Sequence, residues 1–267
     1  MEYLMTYGWA ILIVAIVMIA LFQLGIFNGT NFTPHAIAGA CQVIKNAQGS
    51  SLAGQCNNEQ PKFVAQFNGA SSLINVPINF GSYNAISIVA WIYPYSTGPS
   101  YSIIGDYPGI LFQESGGQLT FWPNPCCTSS ASYFSSGIVQ NAWSFVAVTY
   151  TGGANPIYFY YNGAAYANPT VTEALDSSLL NSIGEYDSGR AFNGLISNLQ
   201  IYNTSLSSNE INALYLEGIG GAPIDPTHIV GWWPLNGNAN DYSENYNNGV
   251  PASVSYNGSW TSGYTLP

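Results

Sequence analysis

Charge is what this 267-residue chain has least of. Only 6% of its residues are Asp, Glu, Lys or Arg, and the basic ones are three, Lys45, Lys62 and Arg190, against thirteen acidic. The formal net charge is -10. Nucleic-acid binding needs clustered Lys and Arg to displace counterions, so three scattered cations exclude that class of partner. Solubility falls instead to Asn, Ser, Thr, Gly and Tyr, which is an extracellular composition rather than a cytosolic one.

Metal-binding and catalytic signatures are equally scarce. There is no paired CxxC, and the two histidines, His35 and His228, stand far from any cysteine spacing that would hold zinc. No Gly-x-Ser-x-Gly elbow occurs, and GIGGAP (218–223) lacks the strand-to-helix setting of a phosphate loop. The nearest acidic pair, Glu185 and Asp187 in GEYDSG, reads as a solvated turn rather than the paired carboxylates of a glycosidase. The expectation is a protein that is not an enzyme.

What the chain does have is a long apolar front end, MEYLMTYGWAILIVAIVMIALFQLGIF (1–27), with no Lys or Arg before it. A secretory signal would need a positive n-region and a small-residue cleavage site. From Trp9 to Phe27 only Gln23 and Gly25 interrupt the run, which approaches the ~20 residues that cross a bilayer. The segment is therefore expected to be retained as one helix, roughly 40 Å long at 1.5 Å per residue. Being apolar on every side, it needs lipid or other helices around it.

Residues 28–61 read as a connector rich in small and turn residues. It holds Cys41 and Cys56, whose pairing closes a short local loop and is the favoured bridge. Four cysteines allow three pairings, and the adjacent Cys126 and Cys127 can bridge each other, pair elsewhere or stay reduced. Sequons stand at Asn28, Asn31, Asn203 and Asn257. With 27 asparagines in the chain, chance supplies about that many, so only the position of Asn28 and Asn31 just past the apolar helix favours glycosylation.

From Lys62 the hydrophobic period becomes two. Runs such as AISIVAWIYPY, GILFQES, QLTFWP, SFVAVTY and GLISNLQIYN are short, β-branched or aromatic, and separated by Gly, Asn, Pro and Ser. Asn162-Gly163 is a strong two-residue hairpin signal, and Ser207 with Glu210 forms a capping box ahead of INALY. Eight or more strands without long helices between them predict an antiparallel β-sandwich or jelly roll, so the fold class is mainly β with a long N-terminal apolar α-helix.

Two resemblances extend this reading. MEYLMTYGWAILIVAIVMIALF resembles the start of archaeal type IV pilin-like proteins. The resemblance makes Glu2 the counterpart of the glutamate that meets a neighbour's N-terminal amine, and implies a leader and a few mature residues ahead of the numbered chain. It assigns Glu2, Tyr3, Tyr7 and Trp9 to assembly. The implied partners are copies of the chain in a helical filament, with the membrane holding the helix beforehand. A carboxylate at the edge of an apolar helix needs such a partner, because burying it alone is costly. A plain single-pass anchor is the other reading of the same hydropathy.

The second resemblance covers Lys62 onward. FVAQFNGASSLINVPI, ISIVAWIYP, NAWSFVAVTYTGG, IYFYYNG and FNGLISNLQIYNTSLSSNEINALYLEG resemble, in order, a laminin G-like, concanavalin A-like jelly roll. It implies a carbohydrate or protein ligand and often a calcium ion. IVGWWPLNGNANDYSENYNNG (229–249) resembles the opening of such a domain but stands last, so 229–267 is expected to fold back and complete the same sandwich. Donation of that strand to a neighbouring subunit, or a truncated second domain, are the alternatives.

For binding, Asp241, Ser243, Asn245 and Asn247 present oxygens at alternate positions, as a calcium loop would, although an Asn-rich turn held by its own side chains has the same composition. Asp106 and Asp187 are weaker candidates for that ion. Trp122, Trp233 and Trp260 lie beside turn residues and are candidate sugar-stacking rings, whereas Trp91 and Trp143 sit in apolar strands and belong to the core.

Overall fold

The computed structural model describes residues 60–79, 83–98, 100–105, 109–123, 132–134, 136–153, 155–171, 174–175, 179–187 and 189–267, together with Ile13 and Val14. Glu2, Tyr3, Tyr7, Trp9, all four cysteines, Asn28, Asn31 and Asp106 therefore lie outside the described residues. Two compact units are defined, Met1–His35 and Ala36–Pro267. Of the first, Ile13 and Val14 are helical and exposed. Among the described residues no helix is long and apolar enough to cross a membrane.

The second unit is an antiparallel sandwich. Its strands are β1 (Val64–Asn68), β2 (Leu73–Asn79), β3 (Ile86–Pro94), β4 (Tyr101–Gly105), β5 (Leu111–Ser115), β6 (Gln118–Trp122), β7 (Ser132–Phe134), β8 (Ser144–Tyr150), β9 (Asn155–Tyr161), β10 (Ala164–Val171), β11 (Leu179–Ile183), β12 (Asn193–Tyr202), β13 (Ile229–Trp233), β14 (Val250–Ala252) and β15 (Ser255–Asn257). Helix α1 (Ser208–Leu216) lies between β12 and β13. One sheet has the order β10-β9-β8-β3-β12-β1-β15, with β13 also on β12, and the other β14-β2-β11-β4-β5-β6-β7.

Local chemistry sets these connections. Asn162 and Gly163 take φ of 46° and 80°, the left-handed pair that a type I′ hairpin needs between β9 and β10. The Asn162 side chain also accepts from the Phe145 N–H at 2.9 Å, which ties the turn to β8. At α1 the Ser207 hydroxyl accepts from the Glu210 N–H, and the Glu210 carboxylate accepts from the Ser207 N–H, closing the capping box.

The segment 229–267 packs against both sheets of its own chain. β13 pairs with the second half of β12, Leu199 opposite Trp233, while β1 takes the first half of β12. β14 then pairs with β2 in one sheet and β15 with β1 in the other, so the segment crosses between layers beside the β1–β2 corner. The Ser72 hydroxyl donates to the Ser253 carbonyl there at 2.5 Å.

Two cores result. Between the sheets lie Phe67, Ile88, Phe112, Phe121, Ile196 and Trp233 among others. A second core covers the outer face of the larger sheet, where α1, residues 219–222 and Trp260 pack on Val89, Trp91 and Phe145. This explains why β3 and β8 are apolar almost throughout instead of alternating: both of their faces are buried. Trp91 and Trp143 are core residues. Trp233 and Trp260 are buried too, at 0% and 3% exposure, so neither offers a ring to a ligand; the turn residues beside them in sequence did not signal the two layers that close over them.

Candidate functional site

A sandwich has two outer faces, and here one is filled. On β12, the polar groups facing α1 and its flanking loop are paired among themselves. The Trp232 indole N–H donates to Asn198 Oδ1 at 2.7 Å, Asn198 Nδ2 donates to the Gly221 carbonyl at 2.8 Å, and the Tyr202 hydroxyl donates to Gln200 Oε1 at 2.5 Å. That face is a finished interior.

The outer face of the smaller sheet differs. Pairing register places Ser102 on β4 opposite Gln113 on β5, and Gln113 opposite Thr120 on β6. Directly paired residues share a face, and the intervening Phe112 and Phe121 point into the core, so these three form a polar row on the outside. A parallel row runs Asn75, Ser182, Gly105, Leu111, Trp122 across β2, β11, β4, β5 and β6. Ser102 Oγ, Gln113 Oε1, Thr120 Oγ1, Trp122 Nε1 and Ser182 Oγ are buried without a hydrogen-bond partner. Each such group costs about 1–3 kcal/mol unless water or a ligand satisfies it. Others occur singly elsewhere, at Trp91, Ser144, Asn203 and Tyr256. Their concentration on one sheet face distinguishes it.

The β5–β6 hairpin that carries Gln113, Thr120 and Trp122 is set by Gly116 and Gly117, with φ of 59° and 83°. Behind it, on the core side, Glu114 Oε1 accepts from the Gly117 N–H at 2.5 Å, while Oε2 is buried and unpaired. Burial pushes the Glu114 carboxyl up to about 7, against the opposing pull of the Gly117 N–H.

One edge of the face is built by the loop after β11. The Tyr186 ring lies so close over Gly105 that an added Cβ would come within 2.8 Å of it. Arg190 sits 5.1 Å above the Tyr186 ring and 4.0 Å from Asp187, and its carbonyl accepts from the Ser102 N–H. Asp187 also accepts from the Gly189 N–H, so it serves the loop. Burial, and then the Asp187 charge, raise the Glu185 pKa.

At the other end of the face, between β14, β2 and β11, lies a hollow of about 350 Å³ lined by Asn75, Val76, Pro77, Asn181, Asn248 and Val250.

Asp241, Ser243, Asn245 and Asn247 do come together, stitched to β13. Asp241 Oδ1 accepts from the N–H groups of Trp232 and Ser243, and Oδ2 from that of Asn247, at 2.8–2.9 Å. Asn245 Nδ2 donates to the Ile229 carbonyl and Asn247 Nδ2 to that of Val230, each at 2.8 Å. Among the described residues no three His, Cys, Asp or Glu side chains cluster as a metal site would require. Of the sequons, Asn203 is half-buried with its Oδ1 enclosed, and Asn257 Oδ1 accepts from the Ser259 N–H.

Sequence reasoning missed Ser102, Gln113, Thr120 and Ser182. The signal was present for two of them. GlnGluSerGlyGlyGlnLeuThr is a two-residue Gly-Gly hairpin, and counting outward from it pairs Gln113 with Thr120.

Two antiparallel sheets packed face to face, with α1 and the C-terminal segment covering the outer side of the larger one, define a lectin-like jelly roll. Residues 68–212, more than half of the chain, match the family described as the Concanavalin A-like lectin/glucanases superfamily, and the chain belongs to that family. Among solved structures it is similar to a candidate carbohydrate binding protein from Bacteroides ovatus, with a TM-score of 0.58, 16% identity, and coverage of 74% of this chain and 60% of that one. It is also similar to the heptameric SAP-like pentraxin of Limulus polyphemus, with a TM-score of 0.53, 13% identity, and coverage of 73% and 94%. At these identities the likeness concerns the fold. A comparison with curated proteins gave no match.

Proposed function

We propose that the chain is a structural subunit of an extracellular type IV pilus-like filament whose β domain is a carbohydrate-binding, adhesive head. The observation that carries the binding half is the row Ser102–Gln113–Thr120 with Trp122 and Ser182 beside it. Ser102, Gln113 and Thr120 are only 0%, 5% and 0% exposed, so they meet a ligand only when uncovered; uncharged and unpaired, they would then suit the hydroxyls of a sugar better than any charged ligand. The likeness to the Bacteroides ovatus protein supports the same ligand class. No described acid pair faces this row; Glu114 lies on the opposite side of β5, which favours binding over hydrolysis.

The filament half rests on the sequence: Glu2 stands ahead of the apolar run 9–27. In this reading the helix leaves the membrane to bundle in a dry filament core, where close van der Waals packing replaces lipid. Asn28 and Asn31 carry glycans and Cys41 bridges Cys56 outside the cell. A calcium ion at Asp241, Ser243, Asn245 and Asn247 is an accessory to this reading and would have to replace bonds those side chains already make.

The test is electron microscopy of filaments sheared from the cell surface, with mass spectrometry of the same material and a Glu2→Ala strain beside the wild type. Helical filaments containing the chain, lost on Glu2→Ala, are expected. A chain found only as single particles in detergent extracts would instead favour the second reading, a membrane-anchored carbohydrate-binding protein, which the 19-residue apolar stretch 9–27 also fits.

A further inference from the structure

We propose that residues 239–249 form a guard that shuts the free edge of β13 against strand addition by a second copy of the chain. This role is independent of the filament and carbohydrate readings, and it gives Asp241, Asn245 and Asn247 a task that needs no ion.

β13 has strand company on one side only. It pairs with β12 along 199–202, and among the described residues no strand pairs with its other side. β3 runs along the opposite side of β12, so β1 and β13 share the remaining side, and β1 is covered in turn by β15. A bare strand edge carries backbone donors and acceptors at the spacing that another strand needs. Natural sheets blunt such edges with charge, proline, bulges or a covering segment.

Here the cover is made mainly of side chains. The Trp232 N–H donates to Asp241 Oδ1 at 2.9 Å, and the Trp232 carbonyl accepts from the Tyr242 N–H at 2.8 Å. The Val230 carbonyl accepts from Asn247 Nδ2 at 2.8 Å and from Asn245 Nδ2 at 3.1 Å. Asn245 Nδ2 also meets the Ile229 carbonyl at 2.8 Å. An added strand would bring backbone groups to these same positions, so loop and strand compete for one edge.

The loop is shaped for that edge. Its two ends are joined, the Gly249 N–H donating to the Ala239 carbonyl at 2.7 Å, and the Trp233 indole N–H holds the Asn247 carbonyl at 3.0 Å. Glu244 and Tyr246 adopt φ of 68° and 60°, the left-handed region that non-glycine residues avoid. With Tyr246 turned out to 81% exposure, Asn245 and Asn247 on either side of it both reach back to β13. Strain of this kind persists only where surrounding bonds over-determine it, and the two carboxamides supply such bonds.

Symmetry names the strand that is held off. An uncovered β13 can meet its own counterpart antiparallel about a two-fold axis, a self-complementary contact that needs no second surface.

The experiment compares the full-length wild type in detergent with Asn245→Ala/Asn247→Ala. Sedimentation velocity over a concentration series is read together with hydrogen exchange of the 229–233 amides. The double variant is expected to self-associate at a protein concentration at least about tenfold below that of the wild type, with 229–233 gaining protection as it does. Asn245→Asp/Asn247→Asp loses the same donors but leaves charge on the edge, and is expected to stay at the wild-type level. Thermal melts check that each variant folds. If the double alanine variant does not, Asn245→Ala alone, which frees the Ile229 carbonyl, takes its place with the same expectation. A folded alanine variant that associates no more than the wild type overturns the guard. Association that protects other strands and leaves 229–233 unchanged overturns it as well.

Discussion

The indole N–H of Trp260 donates to the carbonyl of Pro61 at 2.9 Å, across 199 positions of sequence. The Trp260 carbonyl in turn accepts from the Trp143 indole at 2.9 Å, and the two rings meet edge to face at 5.9 Å. The point where the chain enters the sandwich and the segment that finishes it are thus tied to one another. A domain whose beginning and end adjoin tolerates reordering of its strands.

Trp260→Ala should be among the most destabilising single changes in the domain. It removes a ring buried to 3% exposure, leaves the Pro61 carbonyl unpaired and opens a cavity beside Trp143 and Tyr264. A loss of about 3–5 kcal/mol is expected in denaturant unfolding. Trp260→Phe should lose less, because most of the volume stays. Equal stability of Trp260→Ala and wild type would mean that the C-terminal segment is not docked in solution.

Glu114 should make stability fall as pH rises from about 4.5 to about 7. Its carboxyl is raised from an ordinary value near 4.5 to about 7 by burial, so the folded state holds the proton more tightly than the unfolded state does. The contribution is fully present below pH 4.5 and is lost as pH rises through about 7, a change on the order of 3 kcal/mol at 1.36 kcal/mol per unit. Glu114→Gln keeps an acceptor for the Gly117 N–H and cannot ionise. Its melting temperature should stay level between pH 5 and 8 where that of the wild type declines. Parallel pH profiles would show that the carboxyl is hydrated.

How much of this was legible beforehand depends on the range of the contacts. Asn162-Gly163 and Ser207/Glu210 act within four residues, and the sequence pattern named both correctly. The β-sandwich followed from period-two strands and absent helices. What pattern could not show was the second core: an amphipathic helix of nine residues gives a weak signal, and it seals a sheet face only through Trp260, Ile219 and Ala222 from elsewhere in the chain. The ring of Trp260 was misjudged for that reason, while that of Trp233 lies in the core between the two sheets. Ser102 and Ser182 reach the polar row through the sheet order β11-β4-β5, which joins strands far apart in sequence.

Ser207→Ala should cost about 1 kcal/mol, the usual value of an N-cap hydroxyl, since it removes the acceptor for the Glu210 N–H and frees the Glu210 carboxylate that it orders. Because α1 covers Trp91 and Phe145, the loss should appear in global unfolding, and in faster hydrogen exchange of the α1 amides. Unchanged global stability, with exchange accelerated only in α1, would make the helix a locally fraying cover.

Asp241→Asn should separate a structural loop from a calcium loop. In the structure both carboxylate oxygens accept backbone N–H groups of Trp232, Ser243 and Asn247. Charge-assisted bonds of this kind are worth about 1.5–3 kcal/mol where they are buried, so neutralising the acceptor should lower the melting temperature whether or not calcium is supplied. An ion would have to displace three N–H donors to reach the same oxygens. The melting temperature of the wild type is therefore expected to be indifferent to added calcium or to a chelator. If chelation lowers it and Asp241→Asn removes that response, the loop opens to accept the ion, and the bonds seen here are its resting state.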